Sequence, residues 1–130
     1  MSKSIKSAII LAEDLRPELG GQFSIIGTIV NNLQIVHPEN ATPTTNLAVY
    51  AEIEGIKHPS KILVKILGPS GNIVAEGNMP SPASETIQKG FIICGKFQNL
   101  IMKDEGEYQV VIVVDDKEFI KPLKISLQTA

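Results

Sequence analysis

Alternating apolar and polar residues recur along most of this chain at the spacing of β-strands. The clearest case is the segment LAVYAEIE (47–54), in which every second residue is apolar. Successive side chains of a strand point to opposite faces of its sheet, so this alternation predicts a strand with one buried face. Similar patterns predict about eight strands, at 5–12, 22–30, 47–54, 61–67, 73–76, 86–97, 107–114 and 118–127.

No segment between these strands has the 3.6-residue spacing of an amphipathic helix. Closely spaced strands without intervening helices favour a sandwich or barrel over a βαβ arrangement. No repeat and no change of composition divides the 130 residues. One domain is the ordinary expectation at this length, and its core needs no disulfide. The sequence therefore predicts a single all-β domain over residues 1–130, an antiparallel β-sandwich.

Two segments without this alternation are predicted to be loops that make contacts. Segment 13–21 (EDLRPELGG) is charged and ends in two glycines. Segment 31–46 is rich in Asn, Pro and Thr, with a short apolar stretch, LQIV, inside it. Loops of such length are often functional or contain a short strand, and loops on a rigid scaffold commonly bind partners.

Acidic residues concentrate in two groups, at 104–107 and at 115–118. An extended strand separates residues 105 and 115 by roughly 30 Å, at about 3.3 Å a residue, so the groups cannot share one metal ion. The first group belongs to a D-x-G-x-Y pattern, which in immunoglobulin-like sandwiches fixes a corner through the hydroxyl of the tyrosine, here Tyr108. The second group has the composition of a tight turn. Both groups are interpreted as features of the fold.

Each acidic group could still join carboxylates of segment 13–21 at one end of the sandwich. The candidate metal ligands are Asp14, Glu18, Asp115 and Asp116. If all eight strands traverse the sandwich, segment 13–21 lies beside Asp115 and Asp116; with one fewer, it lies beside 104–105. No run of alternating Asp residues typical of a calcium loop is present, so the structural interpretation is preferred.

Histidine and cysteine offer little chemistry in this sequence. His37 and His58 each precede a proline, which favours extended loop, and both are interpreted as surface residues rather than as ligands or catalytic groups. Cys94 lies in the apolar segment FIICGKF and is interpreted as structural, because nothing nearby would activate its thiol. No Walker A, G-x-S-x-G, H-E-x-x-H or G-x-G-x-x-G motif occurs. No catalytic residue is assigned and no cofactor is expected.

Composition excludes several kinds of partner and location. The net charge is −2 without any cluster of Lys or Arg, which argues against binding to nucleic-acid phosphates. Trp is absent and other aromatic residues are few, which argues against base stacking. No apolar segment is long enough for a signal peptide or a transmembrane helix, and one cysteine cannot form an intramolecular disulfide. A cytoplasmic location is therefore expected.

The segment EDLRPELGGQFSIIGTI (13–29) resembles the opening of a bacterial family of domains of unknown function. Later features are similar too: the loop at His37-Pro38, a Pro-x-Gly turn, the G-E-Y at 106–108, an acidic turn, and Pro-Leu in the last strand. The resemblance covers essentially the whole chain and implies a small immunoglobulin-like sandwich without an established activity. It provides no functional residues, and Gln22 stands where the family pattern has lysine.

Together these features predict a non-enzymatic protein-binding or assembly module that uses segments 13–21 and 31–46. Pro122 removes a backbone donor and predicts that the last strand is an edge, able to pair with a protein partner or a second copy. The alternative is a calcium- or lipid-responsive sandwich that binds through acidic loop ends. An enzyme with a site around His37 and Asp115 is the least favoured class.

Overall fold

The computed structural model describes residues 5–19, 23–56, 59–79 and 90–130, which form strands and no helix. The all-β prediction is confirmed for these residues. They contain nine strands, rather than about eight, because the LQIV stretch is a strand of its own. The strands are β1 (Lys6–Pro17), β2 (Phe23–Ile29), β3 (Asn32–His37), β4 (Thr44–Glu54), β5 (Ile62–Leu67), β6 (Ile73–Met79), β7 (Gly90–Ile101), β8 (Gly106–Val114) and β9 (Lys117–Thr129).

The strands form two sheets, one of four strands in the order β2-β1-β4-β7 and one of five in the order β3-β9-β8-β5-β6. Among the described strands, every pair is antiparallel except β3 and β9, which are parallel. The purely antiparallel prediction is wrong at this pair. The chain crosses from the first sheet to the second between β2 and β3, and β3 then runs in the same direction as β9.

Inward-facing side chains of both sheets form the main core, which makes the fold a β-sandwich. In β4 the alternate residues Val49, Ala51 and Ile53 are fully buried, as the sequence pattern predicts. They share this core with Ile112 and Val114 of β8. Fully burying one such side chain contributes roughly 1.5–3 kcal/mol, so the alternating rows provide the main stabilisation of the sandwich.

Segment 13–21 is not a loop throughout, because β1 continues to Pro17 and pairs with β2 along residues 11–17. Gly27 lies opposite Glu13 in this ribbon and has a φ of 67°, which side chains rarely adopt. The Glu13 side chain covers the glycine, and a Cβ at residue 27 would lie 2.9 Å from a Glu13 carboxylate oxygen. Gly27 therefore marks an irregularity in the β1–β2 ribbon.

Beyond Glu13 the two-stranded β1–β2 ribbon twists, and its inner and outer faces exchange. Leu11 packs in the main core, whereas Leu15 packs with Ala12 and Ala48 in a smaller cluster. A regular strand would send Leu11 and Leu15 to the same face, so the faces exchange between them. The ribbon end, including Ile25, thereby covers the outer face of the four-stranded sheet.

On one side of the sandwich the edge strands β6 and β7 meet. Gly95 of β7 leaves space for the Met79 side chain of β6, whose Cε would lie 3.0 Å from a Cβ at residue 95. Met79 and Phe97 both pack against the main core. This contact closes that side of the sandwich.

The last strand is not an edge, contrary to the prediction from Pro122, because β9 lies between β3 and β8. However, β3 pairs with β9 only from Lys124 onward, so Pro122 lies in a stretch that none of the described strands covers on that side. Pro122 thus marks a stretch of β9 that is locally uncovered, but the prediction that the whole strand is an edge is wrong. No helix of the described residues is long and apolar enough to cross a membrane.

Candidate functional site

A charged cleft lies where the end of the β1–β2 ribbon meets β4 and β7. Its volume is ≈ 390 Å³, and its lining includes Glu13, Asp14, Arg16, Asn46 and Lys96. The first three come from segment 13–21 and Asn46 comes from segment 31–46. The structure therefore brings together parts of both segments that were predicted to make contacts, although these parts belong to strands rather than loops.

Asp14 is the central charge of this cleft. Lys96 Nζ donates to its Oδ1 at 3.0 Å, Leu15 N donates to Oδ1 at 2.9 Å, and Arg16 Nε donates to Oδ2 at 3.3 Å. The hydrogen bond from Lys96 is the largest influence and lowers the pKa of Asp14. Desolvation comes second and opposes it, and the hydrogen bonds from Arg16 and Leu15 lower the pKa further. Asp14 is thus an anion at neutral pH and is unsuited to donate a proton.

An irregularity in the β4–β7 pairing forms one wall of the cleft. The register shifts between Thr45 and Leu47, and Asn99 of β7 has a φ of 57°. Asn99 N donates to the side-chain Oδ1 of Asn46 at 3.0 Å, which holds the bulge in place. Asn is among the few residues that tolerate this backbone conformation, and bulges commonly redirect side chains beside functional sites.

The chemistry of the cleft is that of mixed charge. Arg16 and Lys96 remain substantially exposed although both contact Asp14. Exposed ion pairs contribute little to stability, typically about 0–1 kcal/mol, so these groups are not required to hold the fold. Such a cleft suits a polar partner surface carrying both signs of charge.

The four candidate metal ligands are not brought together. Asp14 lies in the cleft, and Glu18 accepts a hydrogen bond from Ser24 Oγ at 3.0 Å. Asp115 and Asp116 lie at the far end of β8, in the turn before β9. In the described part of the chain, no group of three or more His, Cys, Asp or Glu is placed to hold a metal.

The end at which β1 stops is the end of the Asp104 corner, not that of Asp115. β1 runs antiparallel to β4, so its last residues lie near the start of β4. Just before that start, Pro43 O accepts a hydrogen bond from Met102 N at 2.9 Å, close to Asp104. Of the two arrangements left open by the sequence, the structure shows the one that separates Asp14 from Asp115.

Asp115 fastens the β8–β9 turn to the start of β5. Its Oδ1 accepts hydrogen bonds from Ser60 Oγ at 2.8 Å, Lys61 N at 2.9 Å and Ser60 N at 3.0 Å. Its own N–H donates to Lys61 O at 2.8 Å. The Ser60 hydroxyl contributes most to lowering the pKa of Asp115, followed by the two amides. Asp115 therefore has a structural role.

Acid should weaken this fastening. Because the pKa of Asp115 in the folded protein lies below its ordinary value of 3.8, the ionised form stabilises the fold above that value. The stabilisation is lost as the pH falls through the lowered pKa. We expect the urea midpoint of the wild type to fall more steeply below about pH 4 than that of Asp115→Asn. The control is Asp116→Asn, whose parent side chain is 87% exposed. Parallel curves for wild type and Asp115→Asn would contradict this assignment.

The first acidic group forms the corner that the D-x-G-x-Y pattern predicts. Tyr108 is buried, and its hydroxyl donates to the carbonyl oxygen of Asp104 at 2.7 Å. Gly106, between them, has a φ of 139°. The hydroxyl is thus engaged by the backbone, and burial raises its pKa.

His37 and Cys94 each take part in local structure. His37 Nδ1 donates to the carbonyl oxygens of Pro38 at 2.9 Å and Ala41 at 3.2 Å, which stabilises a local turn. His58 lies outside the described residues. Cys94 lies in the smaller cluster with Ala12, and burial raises the pKa of its thiol, so it stays protonated at neutral pH.

No protein-family model matches the chain, and no curated protein matches it. The functional argument therefore depends on the cleft and its surroundings.

Sequence reasoning missed Lys96 in the cleft and the bulge at Asn99 beside it. Lys96 lies two residues after Cys94, so the alternation indicates which face it occupies but not that Asp14 is its partner. The sequence signals available for the bulge are two polar runs, Thr44–Asn46 at the start of β4 and Gln98-Asn99 near the end of β7. Asn at a strand end is typical of irregular backbone.

Proposed function

We propose that the protein is a non-enzymatic binding module of immunoglobulin-like architecture that binds a protein partner at the charged cleft. The observation that carries this proposal is the contact of Asp14 with Lys96 across the sheet, beside Arg16 and at a bulge. It places three exposed charges on rigid strands in one concave surface. A cytoplasmic setting belongs to the same proposal, supported by the single unpaired cysteine.

The immunoglobulin-like part of the proposal is supported by strand order. A sheet with the order β3-β9-β8-β5-β6, in which an early strand runs parallel to the last one, is typical of that architecture. The tyrosine corner at the start of β8 is a second feature of such domains.

The binding part is supported by the geometry and charge of the cleft. Its charged groups come from β1 and β7, which the adjoining strand β4 joins in one sheet, so their spacing is fixed before any partner arrives. Their ion pairs add little stability, and complementary charges at an interface mainly provide specificity and rapid association. A partner surface that offers both a cation and an anion would match them.

Charge reversal in the cleft tests this proposal. Tagged wild-type protein and the variants Lys96→Glu and Asp14→Lys/Lys96→Glu are used to capture proteins from the source cells, and retained proteins are quantified by mass spectrometry. We expect the variants to retain at least about tenfold less of a specific partner, equivalent to about 1.4 kcal/mol. The double variant keeps an ion pair between residues 14 and 96 with the two charges exchanged. A loss of partner binding in this variant would therefore reflect recognition rather than folding.

The matched control is Lys61→Glu, a charge reversal at an exposed residue of the opposite end of the sandwich. Thermal unfolding of every variant shows whether the fold is retained. Partner binding that survives both cleft variants would contradict the proposal.

A further inference from the structure

The side of the sandwich opposite the β6–β7 contact has two strand edges, each covered along only half its length. β1 pairs with β4 along residues 6–12 but with β2 only along residues 11–17, so among the described strands residues 6–10 have a neighbour on one side only. In the same way, β9 pairs with β8 from Lys117 but with β3 only from Lys124. Residues 117–123 are therefore also left uncovered on one side by the strands that the structure describes.

These two half-edges face one another across the same opening. Only Val30 and Asn31 separate the end of β2 from the start of β3, and there the chain crosses from one sheet to the other. Asn31 O accepts a hydrogen bond from Lys124 N at 2.9 Å, which fixes the crossing beside β9. We call the uncovered region beyond this crossing, formed by residues 6–10 and 117–123, the open flank.

The β9 half of the open flank is protected against strand pairing. The N–H of Lys124 faces the crossing, so the nitrogen of Pro122, two residues earlier, faces the same open side and has no hydrogen to donate. Lys121 pairs with the core residue Val110 across β8–β9, so its side chain points inward. Prolines and inward-pointing lysines are the devices by which natural proteins block edge strands.

The β1 half has neither device. Its sequence, KSAII, contains no proline and has its one charge, Lys6, at the end. Ile9 points inward and packs against the main core, while Ile10 is partly exposed on the outer face. The β9 edge is thus blocked against strand pairing, whereas the β1 edge can accept a further strand.

Charge indicates what kind of strand would fit. Lys121 points into the opening beside Phe119, and it has no hydrogen bond or ion pair within the four described ranges. Lys117 is paired with Asp116 at 3.4 Å and Lys6 lies opposite Glu54 on β4, so the charge that selects a partner strand is that of Lys121. Packed sheets lie about 10 Å apart, so a long lysine side chain from β9 reaches a strand added beside β1.

We infer that residues 6–10 of β1 accept an extended acidic peptide strand from a partner protein, which places apolar side chains on Ile9 and Phe119 and a carboxylate on Lys121. The peptide continues the four-stranded sheet in the position that β2 leaves empty. Backbone hydrogen bonds to β1 provide affinity, and alternate side chains provide specificity. This surface is distinct from the charged cleft and extends the proposed function to a second binding mode.

A peptide-display experiment with the full chain tests this inference. A library of random ten-residue peptides is selected on wild-type protein and, separately, on Lys121→Glu. We expect wild type to enrich peptides with alternating apolar residues and Asp or Glu at one fixed position, and Lys121→Glu to enrich Lys or Arg there. An acidic peptide selected on wild type should bind Lys121→Glu at least about tenfold more weakly. Lys121→Gln, which removes the charge without reversing it, should fall between the two.

Amide hydrogen exchange then locates the peptide. We expect slower exchange in residues 6–10 on binding, and no change in affinity for Lys103→Glu or for the cleft variant Lys96→Glu. Protection elsewhere, or peptides whose charge does not follow residue 121, would overturn the inference. So would a free protein that is already dimeric by light scattering with residues 6–10 protected, because a second copy would then be the occupant. Peptide binding that is weakened by Lys96→Glu and not by Lys121→Glu would indicate binding at the charged cleft and overturn the inference.

Discussion

Replacing Tyr108 by alanine is expected to lower the free energy of unfolding by about 3–5 kcal/mol, the cost of removing a large aromatic side chain from a core. Tyr108 is 2% exposed and packs within the main core at the start of β8. The substitution removes this packing and also the hydrogen bond to Asp104 O, which fixes the corner before the strand. Urea unfolding monitored by circular dichroism measures the change.

Tyr108→Phe separates the two contributions. It keeps the aromatic ring and deletes only the hydroxyl donor, so we expect a loss of about 1 kcal/mol. If Tyr108→Phe cost as much as Tyr108→Ala, the corner hydrogen bond would dominate and packing would be secondary. If neither variant lost stability, the corner would have no structural importance.

Replacing Gly90 by alanine is expected to cost about 2–3 kcal/mol, the upper part of the range for overpacking. Gly90 begins β7 and pairs with Glu54 at the end of β4. A Cβ at residue 90 would overlap the backbone carbonyl oxygen of Ile53, which cannot move without separating the two strands. We expect a lower urea midpoint and faster amide exchange at the end of β4.

Gly77→Ala is the matched control for Gly90→Ala. It also adds one methyl group to a strand glycine, but its Cβ would meet only the flexible Met79 Cε at 3.6 Å and a Phe97 ring carbon at 3.9 Å. Because alanine restricts the unfolded chain more than glycine does, we expect no loss and up to about 0.5–1 kcal/mol of gain. Equal losses in both variants would show that β-strand glycines are needed here for a reason other than close approach.

The strands that the sequence predicted well are those whose alternation is enforced by the main core. Leu47–Glu54 lies within β4 because one row of its side chains faces the opposite sheet along its whole length. The tyrosine corner was also predictable, since D-x-G-x-Y states a local geometry through residue type. In both cases the signal and its physical cause are contained within a few neighbouring residues.

Segment 13–21 failed as a loop prediction because its stabilising contacts are not local. Its charges suggested solvent, yet β1 continues through Pro17 since Gly27, on another strand, lets the ribbon turn over. Leu15 then finds its packing on the outer face, against Ala48. A strand that changes faces breaks the alternation on which the sequence prediction relied.

The sequence predicted which segments contribute to the cleft but not which residues contact one another there. Segments 13–21 and 31–46 were both expected to contribute, and Asp14 and Asn46 do line it. Lys96 was not expected, because its contact with Asp14 depends on the order β1-β4-β7, and strand order is not written in local spacing. The candidate calcium ligands failed to meet for the same reason.

Because β3 pairs with β9, the second sheet cannot be completed until β9 has been synthesised. Gln34 and Gln128, joined by a side-chain hydrogen bond between these strands, are 94 residues apart in sequence. As the chain leaves the ribosome, β3 emerges before strands β4 to β8, whereas its neighbour in the sheet, β9, emerges after them. Until β9 arrives, the buried Ile35 has no sheet to join, and long-range pairings of this kind slow folding. Synthesis of β9 is therefore the step that lets β3 join the second sheet.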